Sequence, residues 1–308
     1  MEAIKTRAGA LSPLIVACLA ATWFIWGSTY LGIKFALVSF PPFFQMGTRF
    51  LLAGSLLLAW AWWRGQPMPT LVQWRNAMIV GTLMLGCSMG GAAYAEQTVA
   101  SGLVVAFVAI TPAVITIASL PFGIRPSRLE VLGIAIGMTG VFALISGAGF
   151  SSSPGGLIAM MIASIGWSTG SVLSQNVFRL APASSGFASQ MICGGAALFI
   201  LSLLTHEAFH WPPQPLAAAA WVYLVVFGSL LAFSAYMILL SNTSTTLASS
   251  YCFVNPVIGM LLGIWLGGET ATPHEWIAVG IIVVGVTVVV VGRGVRPRPQ
   301  IAAASQET

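Results

Sequence analysis

The feature that most constrains this chain is that its second half echoes its first. Trp26 pairs with Trp167, Pro41 with Pro182, Gly86 with Gly228, Tyr94 with Tyr236, Pro112 with Pro256 and Gly140 with Gly285, at an offset that drifts only from 141 to 145 residues. If each copy crosses a membrane an odd number of times, the copies must lie upside down relative to each other. That is the repeat architecture on which alternating-access carriers are built.

Composition puts the chain in lipid. It is 57% hydrophobic and 6% charged, and its 308 residues contain no aspartate, so an ordinary water-facing surface cannot be made from it. Apolar runs near the ~20 residues that span the hydrocarbon as a helix recur between polar or Pro/Gly breaks. They predict ten spans, at 14–36, 42–63, 76–95, 101–122, 129–147, 155–178, 184–205, 218–240, 245–267 and 275–292. The expected class is all-α integral membrane, with ten transmembrane helices as two inverted five-helix repeats around a central cavity. The predicted divisions are a cytoplasmic segment 1–13, a first repeat 14–147, a second repeat 148–292 and a disordered cytoplasmic tail 293–308.

The basic residues test this count independently. With the N-terminus inside, the cytoplasmic segments hold Lys5, Arg7, Arg64, Arg75, Arg125, Arg128, Arg179, Arg293, Arg296 and Arg298, and the outer loops hold none. The net charge of +5 therefore reflects topology rather than a nucleic-acid patch. The first apolar stretch is longer than a signal-peptide core and lacks a convincing cleavage site, so it is expected to be retained. Cys18, Cys87, Cys193 and Cys252 fall within spans without metal-ligand or redox spacing.

Pro112 and Pro256 lie in the middle of equivalent spans, the fourth and ninth. A proline there removes a backbone donor and frees a carbonyl, which protein or a water-filled cavity must satisfy; interrupted helices at matching positions point to a carrier's binding site. Thr111 and Asn255 precede them and supply hydrogen-bonding groups. Trp26, Tyr30 and Lys34 form one helical stripe, and Trp167, Ser171 and Gln175 form its counterpart. Both indoles fall at mid-depth rather than in the interfacial belt, as the wall of a cavity or as core packing. Tyr94, Phe107, Tyr236 and Tyr251 extend the same wall.

Charges in the lipid zone need partners. Arg49 and Lys34 find theirs in Glu96 and Glu269 at outer helix ends, as a structural pair near the outer mouth, unless Arg49 instead attracts a substrate carboxylate. No carboxylate falls near the midplane, which favours a facilitator or coupling through an unidentified group.

Two enzyme patterns need weighing. His206-Glu207-Ala208-Phe209-His210 matches the zinc-peptidase pattern but runs at once into Trp211-Pro212-Pro213, with only His274 and no aspartate to complete a ligand set. Gly86-Cys87-Ser88-Met89-Gly90 and Gly166-Trp167-Ser168-Thr169-Gly170 match a serine-nucleophile pattern without a histidine at their depth. Glycines four apart in spans more often permit close helix contact. No metal, cofactor or nucleotide motor is expected.

The segments Ile25-Trp26-Gly27-Ser28-Thr29-Tyr30, Thr48-Arg49-Phe50 and Tyr251-Cys252-Phe253-Val254-Asn255-Pro256, with Gly267-Gly268-Glu269, resemble the EamA branch of the drug/metabolite transporter superfamily over about residues 14–292. The resemblance is greatest to its bacterial amino acid exporters. It implies a bacterial inner-membrane carrier with both termini cytoplasmic, exporting aromatic or bulky neutral amino acids and related metabolites. The alternatives are a drug or other metabolite exporter, a passive facilitator and, far behind, a zinc hydrolase. The expected partners are a small-molecule substrate and the bilayer, with the chain working as a monomer.

Overall fold

The computed structural model describes residues 12–99, 101–146, 153–208, 211–267 and 272–292. Among them every regular element is helical. Ten long helical segments follow in order: α1 Pro13–Ala36, α2 Pro42–Trp63, α3 Leu71–Ala95, α4 Ser101–Ser119, α5 Arg128–Ile145, α6 Pro154–Asn176, α7 Ala183–Leu204, α8 Pro215–Asn242, α9 Tyr251–Gly267 and α10 Pro273–Gly292. Six of them, α1, α2, α3, α6, α7 and α8, are long and apolar enough by length and composition to cross a membrane. Glu269, the segment 1–11 and the tail 293–308 lie outside the described residues.

Local chemistry sets the helix ends. Proline opens α1, α2, α6, α8 and α10, where its missing N–H costs nothing and its fixed φ suits the first turn. A reciprocal Thr70–Gln73 capping box starts α3 at Leu71, five residues earlier than hydropathy predicts, because capping rather than apolar content fixes that end. Ser127 and Glu130 cap α5 in the same way. The predicted ninth span is divided: one helical turn, Thr245–Ala248, and a bend at Ser249–Ser250 precede α9.

The helices are not interrupted where the prolines suggest. Both α4 and α9 run through Pro112 and Pro256, leaving the carbonyls of Val108 and Cys252 without their usual intrahelical donor. The irregular hydrogen bonding lies instead in α3 and α8, each of which carries a π-helical stretch, Thr82–Met89 and Leu224–Phe233. The two stretches begin 142 residues apart, the offset of the sequence echo. Widened turns of this kind are uncommon and gather at functional sites.

Packing follows an exchange of halves. α1 packs on α8 and α9, and α6 packs on α3 and α4; α2 meets the π stretch of α8, and α7 meets that of α3. Equivalent helices also pair directly and run antiparallel. Gly47 of α2 faces Phe199 of α7 while Gly54 faces Ala188 and Ile192; Gly133 of α5 faces Val289 of α10 while Gly140 faces Ile282. Small residues let these backbones approach closely, as helix pairs in lipid require. At the tightest point a Cβ on Gly285 would lie 2.5 Å from the Gly137 backbone nitrogen.

Candidate functional site

The site begins with α1 and α6, which bring Trp26 and Trp167 face to edge at the centre of the molecule. Their ring centroids are 5.4 Å apart with planes at 79°. Tyr236 of α8 lies 5.2 Å from Trp26 and 5.0 Å from Trp167, and Tyr251 of α9 lies 4.7 Å from Trp26. All four rings are buried. Edge-to-face contact of this kind is favoured by the ring quadrupoles, beyond the area buried.

The polar tips of Trp26, Trp167 and Tyr236 are satisfied. Trp26 Nε1 donates to the Gly228 carbonyl at 3.2 Å, Trp167 Nε1 donates to the Tyr236 hydroxyl at 3.2 Å, and Ser171 Oγ lies 2.9 Å from that hydroxyl. Gln175, one turn beyond Ser171, donates to the Leu240 carbonyl. Thr111 is buried beside the cluster, its carbonyl 3.5 Å from Ser168 Oγ. Of the two roles the sequence left open for the indoles, cavity wall or core packing, the contacts among these rings are those of packing. The rings touch one another and close the centre, because four flat side chains from four helices fill it by mutual packing.

Tyr94 takes no part in that cluster. It is 41% exposed and stacks on Phe43 with centroids 5.9 Å apart. There it helps line a separate apolar cavity of about 430 Å³, with Phe43, Gly86, Cys87, Ile162 and Leu201. Paired sequence positions thus reach different surroundings, since α8 turns Tyr236 inward where α3 turns Tyr94 outward. The Phe107 side chain lies outside the described residues.

Around the aromatic centre lies a polar zone. Arg49 is 2% exposed, donates from Nε to Ser229 Oγ at 2.6 Å and from Nη1 to Met46 Sδ at 3.5 Å, and holds its guanidinium 4.7 Å from the Phe50 ring centroid. Gly228 makes this possible: a Cβ there would sit 3.1 Å from Arg49 Nη2. Lys34 is exposed. Glu96 follows α3 directly, and both its carboxylate oxygens are buried without a hydrogen-bond partner, with Lys34 and Arg49 the charges acting on it. Burial pushes its carboxyl up to about 8, against the lowering pull of those two cations. Tyr30 lies close to both Glu96 and Asn255, and the Asn255 amide, though near the Tyr30 hydroxyl, makes no hydrogen bond of ordinary geometry. Sequence reasoning passed over Ser229 and Gln45; the available signals were adjacency to the paired Gly228 and a four-residue spacing from Arg49 on α2.

The peptidase-like stretch has a structural explanation. Glu207 accepts from the backbone N–H groups of Phe43 and Phe44 at 3.1 and 2.8 Å, capping the start of α2. A glutamate held there is not free to serve as a base. Phe209 and His210 lie outside the described residues, as does Glu269.

The comparisons agree with this picture. The model of the EamA-like transporter family matches residues 11–146 and again residues 154–291. The chain belongs to the EamA-like transporter family. It is 41% identical over 96% of its length to the uncharacterized inner membrane transporter YedA of Escherichia coli K12, covering 97% of that protein. It is 25% identical to a chloroplastic WAT1-related protein of Arabidopsis thaliana, over 88% of this chain and 68% of that protein. A solved crystal structure with 21% identity has a TM-score of 0.73, covering 89% of this chain and 95% of that one, and shares the fold. The chain is a membrane transporter and not an enzyme.

Proposed function

We propose that this chain exports amino acids with aromatic or bulky neutral side chains, and related metabolites, from the bacterial cytoplasm by alternating access. Two five-helix units, α1–α5 and α6–α10, lie inverted in the inner membrane with both termini cytoplasmic, and rock about the aromatic centre. The antiparallel packing of equivalent helices supports the inversion, since an odd number of crossings per unit requires it. The twofold family match, over residues 11–146 and 154–291, supports the same division. The observation that carries the reading is the cluster of Trp26, Trp167, Tyr236 and Tyr251, drawn from both halves. Separating the halves would part these rings and expose aromatic faces on which a bulky apolar side chain stacks.

Counterflow in liposomes holding the purified protein tests this, screened over all amino acids with a drug panel alongside. Saturable flux of an aromatic amino acid, accelerated by the same solute on the far side, is the expected result. Flux of drugs with no amino acid flux would move the reading to a drug exporter. Flux that neither saturates nor shows trans-stimulation would make the chain a passive pore.

A further inference from the structure

Gln45, Glu96 and Asn255 share an unusual condition: in each, both polar side-chain atoms are buried and unpartnered. An unmet polar atom in a protein interior costs about 1–3 kcal/mol, and a charged one more, so three such residues call for an occupant. Tyr30 links two of them, since it lies close to both Glu96 and Asn255. It also neighbours Tyr251, which belongs to the aromatic cluster. The unmet polar atoms of Glu96 and Asn255 therefore lie beside the aromatic cluster, in the arrangement a ligand with a polar head and a bulky tail would fill.

We propose that this zone is the head-group site, with Glu96 as the acceptor for the ligand's primary ammonium and the Asn255 amide as a donor to its carboxylate. This rests on the amino acid reading above and names which of the protein's groups recognise the backbone of the substrate. Two buried carboxyl oxygens without a hydrogen-bond partner leave room for a donor, and a cationic one would favour the ionised form. The protein's own cations act on Glu96 without bonding to it: Arg49 is bonded to Ser229 and Met46, Lys34 is exposed, and neither reaches the carboxyl at hydrogen-bond distance. The groups that act on Glu96 are Tyr30 and Lys34 from α1 and Arg49 from α2. When the ammonium forms its ion pair, a carboxyl that is protonated in the empty protein gives up its proton to water, and the ligand's charge takes that place.

The test compares three probes on the full-length protein in detergent, by ligand-induced thermal stabilisation and by flux in liposomes. They are phenylalanine, the amine that lacks its carboxylate, and the acid that lacks its ammonium. Wild-type protein is expected to bind phenylalanine best and the amine better than the acid. Glu96→Gln is expected to lose at least tenfold in affinity for phenylalanine and for the amine, with binding of the acid unchanged. Glu96→Asp, which keeps the charge, should recover part of the loss. Wild-type preference for the acid over the amine, or Glu96→Gln protein that binds phenylalanine as wild type does, overturns the head-group site while leaving amino acid export intact. Wild-type protein that moves no amino acid at all overturns both.

Discussion

Trp26 and Trp167 occupy equivalent positions of the two halves and meet edge to face, 5.4 Å between centroids, with both indole nitrogens bonded to α8: one to the backbone of Gly228, the other to the hydroxyl of Tyr236. The contact is packing here, and the proposed export cycle would turn it into surface by parting the halves. Truncation to alanine would remove both, so it cannot distinguish a stability role from a transport role. Trp167→Phe keeps a ring and deletes one hydrogen bond. It is expected to cost about 1 kcal/mol of stability, where Trp167→Ala costs about 3–5 kcal/mol. Phenylalanine flux at matched expression should survive Trp167→Phe and fall with Trp167→Ala.

The α5–α10 seam gives a sharper stability test. A Cβ on Gly285 would meet Gly137 backbone atoms at 2.5 and 2.7 Å, whereas one on Gly280 meets nothing within 4 Å. Gly285→Ala must part the helices, and is expected to cost about 1–3 kcal/mol or prevent folding. Gly280→Ala on the same helix should be neutral or mildly stabilising, because alanine is the better helix former. Denaturation in detergent, with both variants side by side, measures the difference.

Capping by Glu207 predicts a third outcome. Removing its two acceptors from the start of α2 leaves the Phe43 and Phe44 N–H groups open, so Glu207→Ala should destabilise by about 1–2 kcal/mol. Substituting His206 with alanine, or adding a zinc chelator, should leave transport unchanged. Flux assays with and without chelator check this directly.

The fold was largely legible because hydropathy and the internal echo report on lipid exposure, and lipid fixes where helices lie. Each of the ten predicted stretches overlaps a helical segment, six of them long and apolar enough to cross a membrane, and the misjudged ends of α3 and α9 are where capping and a two-residue turn outweigh apolar content. The site was legible only in part. Trp26, Trp167, Tyr236 and Tyr251 converge, but Tyr94 does not follow its partner Tyr236, since an echo in sequence fixes depth and not the side of a helix that faces inward. Proline marked the wrong helices for the irregular turns. The π stretches of α3 and α8 contain no proline, and their largely apolar sequences, each with a single Gly and Ser, read as ordinary α-helix. The contact between Arg49 and Ser229 depends on the missing side chain of Gly228, a relation between two helices that no single helix pattern encodes.

Glu96 makes ligand binding depend on pH in a direction that can be stated. Its carboxyl titrates near 8 in the empty protein, so it carries a proton at pH 6 and is half ionised at pH 8. Ammonium binding requires the ionised form, and protonation must be reversed before the ion pair forms. Affinity for phenylalanine should therefore rise from pH 6 to pH 8, by roughly fiftyfold if the whole shift is expressed, while the ligand's own ammonium stays charged over most of that range. Glu96→Gln has no proton to lose, and its weaker binding should be flat across the same interval. Calorimetry in two buffers of different ionisation enthalpy adds a second readout: wild-type protein releases close to one proton per ligand bound at pH 6, and the Gln variant releases none. A wild-type affinity that falls as pH rises from 6 to 8, or a Gln variant with the wild-type slope, would assign the titration to another group.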